Sequence, residues 1–131
     1  MIEKLTSFIS ETEENVLNSS ELSRITSRQL NYIEGLKENP MASLSVLAEK
    51  MGVSKPTASV AVNKLINDGY IEKKNSAEDK RKIALQLTEK GIEITKKHDR
   101  AHHILCESVS NNLSKAETEE LISLVMKIIR G

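Results

Sequence analysis

A chain of 131 residues, 38% apolar and 29% charged, can build one core. Its formal net charge is zero, with 19 acidic and 19 basic side chains, which excludes both wholesale disorder and a generic polycation. Aromatic residues are scarce, at one Phe, two Tyr and no Trp, so the core must come from Leu, Ile, Val and Ala, which suits packed helices. Cys106 is the single cysteine, which excludes an internal disulfide framework and fits a reducing compartment. No apolar run is long enough for a signal peptide or a membrane span, so a soluble, cytoplasmic protein without membrane contact is expected.

In chain order, Ile2, Leu5, Phe8, Ile9, Val16 and Leu17 recur at roughly helical spacing and predict a first amphipathic helix, interrupted by the polar stretch NSSELS. Thr26 with Gln29 three residues on is a capping box for a second helix, whose apolar stripe is Leu30, Ile33 and Leu36. Asn39-Pro40 ends it, and MASL is a short extended link. Ser43 caps a third helix that Gly52 closes. Ser54 caps a fourth, with Pro56 in the first turn, where a missing N–H costs little. That fourth helix buries Ala58, Ala61, Val62, Leu65 and Ile66, turns Lys55, Ser59, Asn63 and Lys64 outward, and stops at Gly69. YIEKK and KIALQL read as two strands, the second with Ile83, Leu85 and Leu87 at period two, joined by the loop NSAEDKR. Thr88 caps a long helix to about Asn111, and the capping box of Ser114 and Glu117 opens a last one from Lys115 to Arg130. The expected fold is mostly α with one small β-hairpin, in a single unit over 1–131.

The balanced charge is unevenly spread. Residues 1–40 carry four basic and seven acidic side chains, residues 41–87 carry eight and five, and residues 88–131 carry seven of each. The middle segment is where a polyanion would be preferred, although a solvated face produces the same excess.

Within that segment, two short helices joined by MGVS have the arrangement of a helix-turn-helix. Ala48 is small where the helices approach, Gly52 suits the turn, and Val53 fills the angle between them. Ser54, Lys55, Thr57 and Ser59 then cluster at the N-terminal turn of the second helix, beside free backbone N–H groups and the positive end of the helix dipole. Short polar side chains there can reach base edges. The same two helices also fit any helical domain, with Ser54 merely a cap. The hairpin decides between these readings, because a basic-tipped ribbon directly after such a helix makes a winged helix. Arg81 is its natural groove probe, and Asp79 is suited to orient Arg81 through an ion pair.

Three segments, ITSRQLNYIEGL, LSVLAEKMGVSKPTASVAVNKLINDGYIEKK and DKRKIALQLTEKG, resemble the MarR family of winged-helix transcription regulators. They span Ile25 to Gly91, and the D-x-R of Asp79 and Arg81 stands at the family's interval before LTEKG. The resemblance implies a winged helix-turn-helix core over 25–91, with dimerisation helices at 1–20 and 89–131. It implies a homodimer on a pseudo-palindromic double-stranded operator, acting as a repressor or activator that answers to a small-molecule effector. DNA contacts then fall on Ser54, Lys55, Pro56, Thr57, Ser59 and Asn63, with Lys64 beside them, and on Asp79, Lys80 and Arg81 of the wing. Pro56 departs from the small polar residue frequent at its position. Val60 is apolar on an outward face, suited to a thymine methyl group or to packing.

The last helix supports a dimer independently of the family. Leu113, Leu121, Ile122, Leu124, Val125, Ile128 and Ile129 make a wider apolar surface than one small core needs.

KKHDRAHHILCE adds a second chemistry. His98, His102 and Cys106, at i, i+4 and i+8, lie along one stripe of the long helix, and His103 and Glu107 lie along a parallel one. Two such side chains can share a zinc or other transition-metal ion, but the remaining ligands must come from elsewhere. Ile94, His98, Ala101 and Leu105 equally describe an ordinary interior stripe. No resident cofactor is expected, and a zinc-responsive regulator of the same fold is the alternative. No H-E-x-x-H, glycine-rich phosphate loop or Cys–His–Asp pattern stands out, so enzymatic function is not expected. A winged helix serving protein interaction alone is opposed by the basic Lys55, Lys64 and Arg81.

Overall fold

A computed structural model describes residues 2–17, 24–75, 78–79 and 81–131, without the side chains of 13–17. Its element order is α1 (Ile2–Leu17), α2 (Ser27–Glu38), α3 (Leu44–Met51), α4 (Lys55–Asn67), β1 (Ile71–Asn75), β2 (Ile83–Leu87), α5 (Glu89–Asn111) and α6 (Lys115–Arg130). The expected mostly α chain with one hairpin is the observed one. The side chains of Val16 and Leu17, the stretch 18–23 and Lys80 lie outside the described residues.

Local chemistry sets the helix boundaries. Thr26 accepts the Gln29 N–H at 3.2 Å while Gln29 Oε1 accepts the Thr26 N–H at 3.0 Å, and Ser114 and Glu117 make the same reciprocal pair at 3.2 and 2.7 Å. Ser43, Ser54 and Thr88 cap α3, α4 and α5 in turn. α3 ends in a Schellman motif: Gly52 is left-handed at φ 66°, its N–H bonds to Glu49 O, and the Val53 N–H bonds to Ala48 O. This closure turns the chain sharply and leaves Val53 against the core.

α2, α3, α4, the hairpin and the start of α5 enclose one core, built on Tyr32, Ile33, Leu36, Leu47, Val62, Leu65, Ile71, Leu85 and Ile94. The strands are antiparallel with Ile71 opposite Leu87 and Asn75 opposite Ile83. Their period-two reading needs one correction. Ala84 and Leu85 are both buried, while Ile83, expected in the core, is 55% exposed. Ile83 is the first residue of β2 and lines an open groove beside α4, so its side chain stays largely in solvent. The link between α2 and α3 holds the hairpin through the Leu85 N–H, which donates to Ala42 O at 2.9 Å.

The start of α5 is clamped to the end of the helix-turn-helix. Thr88 Oγ1 donates to Gly69 O at 2.5 Å, the Thr88 N–H to Tyr70 O at 3.1 Å, and Lys90 Nζ to Asp68 O at 2.9 Å. Gly91 is buried here, and a Cβ at this position would sit 2.3 Å from Tyr70 O. Only a glycine lets the helix approach that carbonyl.

α1 lies along α5, and α6 follows α5 without burying any of its own residues. Ile2, Leu5, Phe8 and Ile9 of α1 are exposed, as are Leu121, Ile122, Leu124, Val125, Met126, Ile128 and Ile129 of α6. Among the described residues, no helix is long and apolar enough to cross a membrane.

Candidate nucleic-acid interface

The outward face of α4 and the inner face of the hairpin border one groove of about 510 Å³. Lys55, Ser59 and Asn63 line it from α4, Lys73 from β1, and Arg81, Lys82 and Ile83 from the end of the wing and the start of β2. Ser43 and Ser45 close it at the start of α3. Four cations from three separate stretches thus surround an opening floored by Leu44, Val62 and Leu85. The sequence reading missed Lys73, Lys82 and Ile83. Alternation along β1 puts Lys73 on the same face as Ile71 and Asn75, a signal that could have found it.

The expected site residues divide by position. Ser54, Pro56 and Thr57 are exposed on the first turn of α4, outside the groove. Ser54 Oγ accepts the Thr57 N–H at 3.3 Å and donates its own proton to Thr57 Oγ1 at 2.9 Å, so both its bonding directions are used within the cap. The Thr57 hydroxyl keeps its proton for an outside acceptor. Lys64 is exposed but does not line the groove. Val60 is 74% exposed, on the outward face.

At the wing, Asp79 orients Arg81 differently from the expected ion pair. Asp79 Oδ1 accepts the Arg81 backbone N–H at 2.9 Å, and the Lys82 N–H donates to Asp79 O at 3.0 Å. No ion pair joins the two side chains among the described residues. A short carboxylate reaches the amide two residues on more easily than it reaches a guanidinium at the end of a long arm, and the result is an Asx turn. The Arg81 side chain is left free of the carboxylate, exposed and facing the groove.

A second cavity, about 350 Å³, lies between α2 and α5 and is lined by Ser27, Leu30, Asn31, His98, Ala101, His102 and Leu105. His98 is half-buried, its Nδ1 3.0 Å from Glu34 Oε1, and His102 Nε2 lies 2.8 Å from His98 Nε2. Beside them Lys37 Nζ reaches Asp99 Oδ2 at 2.7 Å and Glu34 Oε2 at 3.9 Å. The Asp99 hydrogen bond and the neighbouring carboxylates hold the Lys37 ammonium above its ordinary pKa. Cys106 is exposed and is not among the side chains that converge here. The acidic side chain that meets His98 is Glu34, from a different helix.

A helix-turn-helix followed by a hairpin folded back along its second helix, with cations of both around one groove, defines a winged-helix DNA-binding regulator. The model of the MarR family matches residues 20–82. The regulator BilQ of Clostridium symbiosum is 30% identical over 99 residues, 76% of this chain and 69% of that protein. The Escherichia coli repressor MprA is also 30% identical, over 71% of this chain, and the matched stretch spans 53% of its length. The crystal structure of Streptococcus pneumoniae FabT in complex with DNA has a TM-score of 0.78 at 26% identity, covering 98% of this chain and 92% of that one. The chain belongs to the MarR family of winged-helix transcription regulators, and it is a DNA-binding regulator rather than an enzyme.

Proposed function

We propose that this protein is a cytoplasmic homodimer that binds a pseudo-palindromic double-stranded operator and represses transcription until a small-molecule effector intervenes. The observation that carries the reading is the shared groove. Lys55, Ser59 and Asn63 on α4 stand opposite Lys73, Arg81 and Lys82 on the hairpin. α4 then enters the major groove by its N-terminal turn while the wing follows the adjacent backbone or minor groove. Phosphate contacts come from the Lys55 side chain and backbone N–H and from the wing cations, since Pro56 has no N–H and that of Thr57 is held by Ser54. Base contacts come from Thr57, Ser59, Asn63 and the methyl groups of Val60. Ser54 serves mainly by holding Thr57. Lys64 and Lys80 add further phosphate contacts, and Pro56 stiffens the first turn.

Dimerisation is supported by the apolar faces of α1 and α6. Burying one such side chain contributes roughly 1.5–3 kcal/mol, and these helices expose a continuous series of them. A second copy related by two-fold symmetry covers them and sets two α4 helices to address half-sites about 10 bp apart. The cavity between α2 and α5 is the candidate effector site, since it lies where the reader meets the helices of the dimer.

Selection of bound duplexes from a random pool tests the reading. A pseudo-palindrome should emerge, bound by two chains, with affinity falling steeply as salt rises. Recovery of no preferred sequence, or salt-independent binding, overturns it.

A further inference from the structure

We propose that His98 and His102 bind one divalent transition-metal ion of the zinc class, with Glu34 acting behind His98 as an orienting carboxylate. The two rings stand one helical turn apart on α5, their centroids 4.4 Å apart and their planes at 75°. Their Nε2 atoms are 2.8 Å apart. Two nitrogens on a tetrahedral zinc, each at about 2.0–2.1 Å, lie about 3.3 Å from each other, so a separation of roughly half an ångström more admits the ion. His102 is exposed and free to turn by that amount.

Glu34 selects the tautomer that the site needs. A carboxylate only accepts, so the Nδ1–H of His98 donates to Glu34 Oε1 at 3.0 Å and leaves the Nε2 lone pair facing His102. This is the carboxylate–histidine arrangement that stands behind metal-bound imidazoles.

The other side of His98 is less suitable. Glu34, His98 and Asp99 bring ligand atoms within 4.8 Å of one another, but the Lys37 ammonium lies 2.7 Å from Asp99 and 3.9 Å from Glu34. A cation already neutralises that side, so a metal ion there would have to displace it. Both histidines also line the 350 Å³ cavity, which has room for water or a carboxylate-bearing molecule as the remaining ligands. An ion held here replaces the contact between the rings, and the Glu34 hydrogen bond to His98 that already joins α2 to α5 steadies it.

Metal binding stands apart from the DNA-binding reading, and its regulatory meaning rests on that reading. The test is titration of the metal-stripped full chain with cobalt(II), followed by zinc. One cobalt per chain is expected, with the visible absorption of a low-coordinate site that zinc abolishes. His102→Ala removes it. Glu34→Gln lowers the affinity about 10- to 100-fold without removing it. Cys106→Ser and His103→Ala leave it unchanged. Because His102 and Glu34 are not core residues, circular dichroism should show both variants folded. Absence of saturable cobalt binding, wild-type affinity in His102→Ala, or loss of the site in Cys106→Ser overturns the proposal and leaves the DNA reading untouched.

Discussion

Gly91→Ala should destabilise the protein through one close approach. The added methyl carbon would lie 2.3 Å from Tyr70 O, and 3.2 Å from Leu87 Cδ2. To restore even 3.0 Å, the first turn of α5 and the Tyr70 carbonyl must part by about 0.7 Å, a strain on the order of 1–3 kcal/mol in a packed region. The same parting stretches the Thr88 hydroxyl bond to Gly69 O and the Thr88 N–H bond to Tyr70 O, now 2.5 and 3.1 Å. Each broken bond costs about 0.5–1.5 kcal/mol, so the whole change should cost roughly 2–6 kcal/mol. Urea unfolding at fixed chain concentration reads this as a lower midpoint with an unchanged slope. Gly52→Ala is the internal control. Nothing lies within 4 Å of its Cβ, so only the left-handed backbone at φ 66° opposes it, at about 1–2 kcal/mol. A Gly91→Ala loss below about 0.5 kcal/mol, or smaller than that of Gly52→Ala, would refute the steric account.

Asp79→Ala removes both a negative charge and the Asx turn, whose effects on DNA affinity are opposite in sign. If the turn governs the wing, Asp79→Ala weakens binding to a selected duplex while Asp79→Asn, which keeps the acceptor, binds at least as well as wild type. Stronger binding by Asp79→Ala would show that charge alone matters. Arg81→Ala should weaken binding with little loss of fold and lower the slope of log affinity against log salt by about 0.9 for each phosphate no longer neutralised; an unchanged slope removes Arg81 from the phosphate set. Acid should destabilise the fold through two carboxyls. The Ser114 backbone N–H holds Glu117, and the Lys50 hydrogen bond holds Glu38, below the usual carboxylate range. Both folded values lie below the unfolded ones, so the stabilisation is present above about pH 4.3 and lost as pH falls through the folded values. Replacing both residues with Ala should flatten that decline in thermal melts, and an unaltered profile would contradict the assignment.

The sequence disclosed features whose cause lies within a few residues. Five helix caps, the Gly52 closure and the order of elements rest on interactions spanning three to five positions, and these are legible as local patterns. What it concealed depends on partners distant in the chain. Gly91 reads as a helix residue until Tyr70 O is brought against it. Ile83 reads as core until the open groove beside α4 is known. Glu34 lies 64 positions from His98, so no spacing rule could have preferred it to Cys106, which stands on the right stripe but is exposed. Asp79 is a different case. Its turn to the amide two residues on is a local pattern, legible in the D-x-R spacing itself.

On the proposed contact set, the outward face of α4 limits how closely DNA must be approached. Thr57, Ser59 and Asn63 are short arms, and Val60, 74% exposed, has no polar end at all. A reader with so little standoff needs its backbone close to the floor of the major groove before any side chain can touch a base. The width of the groove thereby becomes a condition of entry rather than a refinement. Duplexes that are narrow or stiff where α4 descends should be refused even when every contacted base is correct, and flexible steps should be favoured at positions the protein never touches.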